Sequence, residues 1–198
     1  MLIKKNENEE VKKNEENPVD EQKKEDSKCP LSKKIQELLV RQLKHELQNH
    51  NIYMNFANYF GTRGLTKLEQ YFVERANEEY LHHTWIRKYL NENDVEFVNP
   101  VIDSFDEKID DMLMPFEATV ELENYTTELI HEITDQAFDE RDWLTFSWLT
   151  GNDKNKGMLL VEQVEEMSIS RTVNDIAHSD ESWLVKESSI LHAYEHRD

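Results

Sequence analysis

The sequence predicts an all-α fold: a bundle of four long helices with one long crossover and a short fifth helix at the C-terminal end. Three observations predict it. The 198 residues include only 4 Gly and 4 Pro, which are the strongest interrupters of regular structure. Apolar residues recur at the helical period in four successive segments. Residues 94–115 lack that period, and their length suits a crossover that leaves the second and third helices parallel.

The helix boundaries follow from breaks in this pattern. Ser32 precedes the first apolar repeat, and Gly61-Thr62-Arg63-Gly64 ends it in a short loop of the kind that joins antiparallel neighbours. Residues 150–157 hold two glycines and no apolar side chain, so we expect a loop there, with the fourth helix restarting at about Met158. The expected helices span residues 32–59, 66–93 and 115–139, then a fourth ending near 178 and a short amphipathic segment around 183–191.

Residues 1–30 differ in composition from the rest of the chain. They contain 7 Lys and 9 acidic residues, a net charge of −2, whereas the whole chain carries −19, which leaves −17 for residues 31–198. Such a polar segment buries too little apolar surface to fold alone, so we expect a disordered Lys/Glu-rich tail followed by one domain over 31–198. The acidic domain should repel nucleic acid and attract cations.

Cysteine usage and hydropathy indicate a cytoplasmic setting. The single cysteine, Cys29, excludes an internal disulfide and a cysteine-based metal centre, and it suits the reducing cytosol. No apolar run approaches the ~20 residues that span a bilayer. The first residues show no apolar core of a secretory signal. We therefore expect no membrane partner.

An acid and a histidine interrupt the apolar stripe of the second helix. Glu79 and His82 lie three residues apart, which places both side chains on one helix face. A buried carboxylate needs a compensating partner, and Glu-x-x-His facing into a bundle is a pattern of dicarboxylate metal sites. Alone, each acid would be interpreted as a solvated surface residue. The other three stripes also carry an acid near the middle: Glu46, Glu123 and Glu166. This repetition favours a cation site shared by the four helices.

Taken in order, these motifs resemble bacterial non-haem ferritins over about residues 35–195. The resemblance implies a ferritin-like bundle that stores iron, oxidises Fe(II) with dioxygen at a diiron centre and deposits ferric mineral inside a homo-oligomeric shell of 24 subunits. It makes the protein a ferroxidase. The motifs that carry it are QLKHEL at 42–47, ANEEYLH at 76–82, ELE at 121–123, EQVEE at 162–166 and, for the short last helix, WLVKE at 183–187.

The resemblance also implies a role for individual residues. Tyr53 falls beside the iron pair, where its hydroxyl could donate to a bound oxygen species or supply an electron. Glu79 is the bridging carboxylate. The first iron is assigned Glu46, Glu79 and His82, and the second Glu79, Glu123 and Gln163. The acids at a third iron site on the inner surface are Glu78, Glu162, Glu165 and Glu166.

Two departures from related classes narrow the function. Haem-type bacterioferritins and diiron enzymes that retain their metal usually carry a second Glu-x-x-His on the fourth helix, whereas Glu165 and Glu166 stand at those places here; this favours storage. Tyr80 follows Glu79, where a bacterioferritin has its haem-ligating methionine, so no haem is expected. Residues 150–157 look like an insertion relative to the family. Two alternatives stay open: another diiron oxidoreductase on the same bundle, and a non-enzymatic helical interaction protein whose acids lie on the surface.

Overall fold

The computed structural model describes residues 30–151 and 159–197, which contain six helices. No strand occurs in these two ranges, and the predicted all-α class is confirmed. None of the helices there has the length and apolarity needed to cross a bilayer. The helices are α1 (Lys33–Gly61), α2 (Thr66–Glu92), α3 (Met114–Glu140), α4 (Trp143–Thr150), α5 (Leu159–Ala177) and α6 (Trp183–Glu195).

The four long helices, α1, α2, α3 and α5, form the bundle. Helix α1 packs against α2 and α3, and α3 packs against α5. The short α6 lies against α2 and α5, and α4 contacts α3 and α5. Residues 94–110 between α2 and α3 contain no helix, as the crossover requires. The predicted bundle with a short last helix is confirmed.

Interactions between neighbouring residues determine where α1 begins and how the chain turns after it. The Ser32 hydroxyl caps α1 by accepting a hydrogen bond from the Ile35 backbone N–H at 3.2 Å, which satisfies one of the unpaired donors of the first turn. After α1, Gly64 adopts a φ of 75°, a left-handed conformation that glycine reaches without a Cβ clash. The chain then reverses into α2, as the Gly61–Gly64 motif predicts.

The fourth predicted helix is divided. Arg141 takes a left-handed φ of 58° and ends α3, and Asp142 caps a separate, unpredicted helix α4 through the Thr145 N–H at 3.1 Å. Helix α5 begins at Leu159, next to the predicted restart at about Met158. Most of the predicted loop, residues 152–157, lies outside the described residues, and so does the predicted tail apart from Pro30. The long helix that supplies the fourth acid is therefore α5 alone.

An aromatic core fills one end of the bundle and supports the polar centre. Phe60 and Phe72 stack with ring centroids 5.5 Å apart, and Phe56 meets Phe72 edge-on at 5.4 Å. All three are fully buried, and Tyr53 packs against this cluster, 6.3 Å from the Phe72 ring. The cluster therefore holds the helices at fixed positions next to the buried acids, since close-packed interiors resist deformation.

Candidate metal centre

All four long helices contribute polar side chains to one buried centre. Each of these side chains occupies a position where the helical period faces the core, which is why the sequence shows them as interruptions of the apolar stripes. Every one is at most 5 % exposed. The residues are Glu46 on α1, Glu79 and His82 on α2, Glu123 on α3, and Gln163 and Glu166 on α5.

Glu46, Glu79 and His82 form a compact ligand group. Each offers one ligand atom, and these three atoms lie within 4.8 Å of one another. Oε2 of Glu46 and both carboxylate oxygens of Glu79 are buried without a hydrogen-bond partner among the described residues. The other oxygen of Glu46 accepts a hydrogen bond from Nε2 of Gln42 at 2.6 Å. Buried oxygens without a donor are costly, so this group is suited to a divalent cation.

Glu123 is in a different situation, because both of its oxygens have partners. Oε1 accepts a hydrogen bond from the Tyr53 hydroxyl at 2.6 Å and also pairs with the Arg75 guanidinium. Oε2 accepts one from Nε2 of Gln163 at 3.1 Å. The predicted ligands Glu123 and Gln163 therefore bind each other, and Glu123 also binds Arg75 and Tyr53.

The sequence interpretation missed Arg75, a fully buried cation at the heart of the centre. Its Nη1 lies 3.0 Å from Oε2 of Glu78 and 3.5 Å from Oε1 of Glu166. Its Nη2 contacts Glu123 and lies 3.8 Å from Oε1 of Glu79. The spacing of Arg75, four residues before Glu79, places both side chains on the same helix face. This spacing alone does not show whether the guanidinium points inward.

Burial and mutual repulsion change the proton affinities of these groups. Burial, with Glu123 and Glu46 adding to it, raises the pKa of Glu79 well above its ordinary value. Burial and Glu123 also raise the pKa of Glu166. Burial opposes the charge on Arg75, but the surrounding carboxylates outweigh it and raise the guanidinium pKa. Without metal, Glu79 and Glu166 therefore favour the protonated form beside a permanent cation.

The four acids of the predicted third site are not equivalent. Glu78 pairs with Arg75 and with Arg197 near the C-terminal end. Glu166 is buried, paired with Arg75, and its Oε1 lies 3.8 Å from Nε2 of His82. Glu162 and Glu165 are half-buried on α5 and stand outside the compact ligand group. The set thus divides into two acids tied to arginine and two nearer the surface.

A family model described as "Ferritin-like domain" matches residues 36–168, which is 133 of the 198 residues. The chain belongs to the ferritin-like family. This match covers every residue of the buried centre, and only Arg197, which pairs with Glu78, lies outside it. The resemblance seen in the motifs is confirmed.

Named relatives and solved structures agree with this membership. A bacterial non-heme ferritin of Campylobacter jejuni is 26 % identical over 145 residues, 73 % of this chain and 83 % of that protein. One from Staphylococcus saprophyticus is 24 % identical over 83 % of this chain and 92 % of its own length. The open pore ferritin of Archaeoglobus fulgidus superposes with a TM-score of 0.72 at 24 % identity, covering 81 % of this chain and 96 % of that one. At that identity the structural likeness concerns the fold.

Proposed function

We propose that this ferritin-like protein is a ferroxidase that oxidises Fe(II) with dioxygen at the buried centre and stores the ferric product in the cytoplasm inside a homo-oligomeric shell. One observation carries the proposal: ligand atoms of Glu46, Glu79 and His82 lie within 4.8 Å of one another, and neither oxygen of Glu79 has a hydrogen-bond partner in the described part of the chain. A site whose acceptors are unused in the protein is prepared for a cation.

The donor set suits iron as the substrate. Carboxylate oxygen and imidazole nitrogen are ligands that Fe(II) accepts, and an anionic set stabilises Fe(III) more than Fe(II), which makes electron loss easier. Each Fe(II) loses one electron. Two Fe(II), one dioxygen and two protons therefore give two Fe(III) and one hydrogen peroxide. Glu46, Glu79 and His82 hold the ion, while the acidic domain, with a charge of −17 over residues 31–198, concentrates Fe(II) around it.

The predicted partner sites stay predictions. Of the two residues assigned to a second iron with Glu79, Glu123 pairs with the Arg75 guanidinium and Gln163 donates a hydrogen bond to Glu123. A role for Tyr53 as hydrogen or electron donor is supported by its hydrogen bond to Glu123. The third site on Glu78, Glu162, Glu165 and Glu166, and a shell of 24 subunits, also remain to be tested. Storage is supported by family membership and by relatives that are named ferritins.

The decisive experiment compares two acid–histidine pairs. The double variant Glu79→Ala/His82→Ala removes the centre, while Glu117→Ala/His178→Ala removes an exposed pair 3.1 Å apart. We expect the first to lower the initial rate of aerobic Fe(II) oxidation to that of buffer and the second to keep the parent rate, measured by the ultraviolet absorbance of ferric iron. The first variant should still fold, because loss of buried charge is often neutral or stabilising. Equal initial rates for parent and Glu79→Ala/His82→Ala would disprove the proposal.

The alternatives predict other outcomes in the same assay. A diiron oxidoreductase that retains its metal would keep iron after dialysis against a chelator, whereas a storage protein releases iron from its centre. A helical interaction protein would show no oxidation above buffer with the parent chain. No observation in the described residues favours either alternative over storage.

A further inference from the structure

We propose that Arg75 supplies the second positive charge of the centre, so that the buried site takes one divalent ion, on Glu46, Glu79 and His82, instead of a pair. The inference rests on the proposed function, because that ion is the Fe(II) to be oxidised. With one Fe(II) bound at a time, two successive Fe(II) ions supply the two electrons that reduce each dioxygen to hydrogen peroxide. Arg75 would then be a positioning residue, holding Glu123 and Glu166 as its own counterions.

Hydrogen-bond satisfaction separates the two halves of the centre. On one side, both oxygens of Glu79 and Oε2 of Glu46 have no hydrogen-bond partner among the described residues, and Arg75 approaches Oε1 of Glu79 only to 3.8 Å. On the other side, Glu123 accepts from Tyr53 and Gln163 and pairs with Arg75. Buried polar groups are paired as a rule. The unmet acceptors therefore belong to one cation, and the acceptors of a would-be second site are already used.

The guanidinium occupies the space that a bridged second ion needs. An ion shared by Glu79 and Glu123 would lie about 2 Å from an oxygen of each. Nη2 of Arg75 is in contact with Oε1 of Glu123 and 3.8 Å from Oε1 of Glu79, so it stands between the same two carboxylates. The nitrogen and a metal ion cannot share this position.

Arg75 cannot vacate the position by losing its charge. Arginine stays protonated in proteins. Its side chain has no exposed surface, and its guanidinium carbon lies 5.5 Å from the Tyr53 ring centroid. Glu78, which it pairs with at 3.0 Å, is itself held by Arg197. The cation is thus enclosed on several sides.

The charges of the ligand group match one divalent ion. Glu46 and Glu79 carry −1 each, which matches one divalent cation at +2 when His82 is neutral. The other three acids, Glu123, Glu166 and Glu78, contact the two guanidinium groups of Arg75 and Arg197. Three carboxyl groups against two cations balance when one of the three is protonated. A second divalent ion would place +2 beside a buried +1 at close range, which is strongly unfavourable where water is excluded.

Zinc binding tests the stoichiometry without turnover. Metal-free protein is titrated with Zn²⁺ in a calorimeter, and tight sites are counted as those lost in Glu79→Ala/His82→Ala. We expect one tight ion per subunit in the parent and one in Glu123→Gln, since Glu123 would be a counterion and not a ligand. Arg75→Gln should bind two, and Arg41→Gln, which removes an exposed arginine paired with Glu132, should bind one.

The outcomes separate this inference from the proposed function. Two tight ions in the parent that fall to one in Glu123→Gln would overturn the role of Arg75 while leaving a metal centre in place. No tight ion in the parent would overturn the proposed function together with the inference. If Arg75→Gln does not fold, the comparison of the parent with Glu123→Gln still decides, because a pair and a single ion predict different counts there.

Discussion

At the scale of residues, the sequence pattern indicates the acids and the histidine of the centre but not its arginine. Glu79 and His82 were recognisable because helical period predicts apolar residues there. Arg75 was not, because a long arginine can bury its stem and still bring its charge to solvent. Only the tertiary contact with Glu123, 48 residues away along the chain, shows that this guanidinium points inward.

The raised pKa of Glu79 predicts a pH effect on the metal-free protein. Its folded pKa lies well above the ordinary value of 4.5. As pH rises above that value, the unfolded chain releases the proton while the folded chain keeps it, so stability falls until the folded pKa is passed. Glu79→Gln cannot ionise. We therefore expect its melting temperature to exceed that of the parent by a gap that widens by a few degrees from about pH 5 to about pH 8.

The control is Glu132→Gln in chelator-treated protein. Glu132 is exposed, and its hydrogen bond to Arg41 lowers its pKa, so replacing it should not make the variant progressively more stable than the parent. A constant gap between parent and Glu79→Gln across this pH range, measured by circular dichroism melts, would show that Glu79 ionises normally.

At the scale of elements, local sequence signals predicted the ends of the first two helices but not the separate helix α4. Ser32 and the Gly61–Gly64 turn predict the first hairpin to within two residues, because caps and left-handed turns depend on adjacent residues only. The separate helix α4 was not predicted. Its short segment Trp143–Thr150 is too brief for a period to be distinguished from the end of a longer helix, and its cap on Asp142 is a one-residue signal.

The Ser32 cap gives a test at this scale. Ser32→Ala removes the hydrogen bond to the Ile35 N–H, 3.2 Å long, and should lower the free energy of unfolding by about 1 kcal/mol. Ser182 is a matched control, since it occupies the same position before α6 but makes no side-chain cap bond. Urea unfolding should show a smaller loss for Ser182→Ala. Equal losses would mean that the hydroxyl of Ser32 contributes nothing specific.

At the scale of the whole molecule, the sequence predicted which helices meet but not how charge is shared between them. Four mid-stripe acids in four helices indicate a common centre because a bundle turns each stripe inward. The division into a ligand group without partners and an arginine cluster depends on which side chain reaches which oxygen. That information lies in packing between α2, α3 and α5, which periodicity does not contain.

The same burial makes metal binding part of the folding energy. The acids of the centre must be deprotonated to bind a cation, so Zn²⁺ displaces protons and binds only the folded chain. At a free Zn²⁺ concentration 100 times Kd, one site adds about 2.7 kcal/mol. We expect the melting temperature of the parent to rise by about 5 to 10 °C, with proton release detectable in a weakly buffered titration.

Glu79→Ala/His82→Ala should show neither effect, and Glu117→Ala/His178→Ala, whose acid–histidine pair is exposed, should show both. A parent melting temperature unchanged by Zn²⁺ would mean that the unpaired oxygens of Glu46 and Glu79 are met by protons alone.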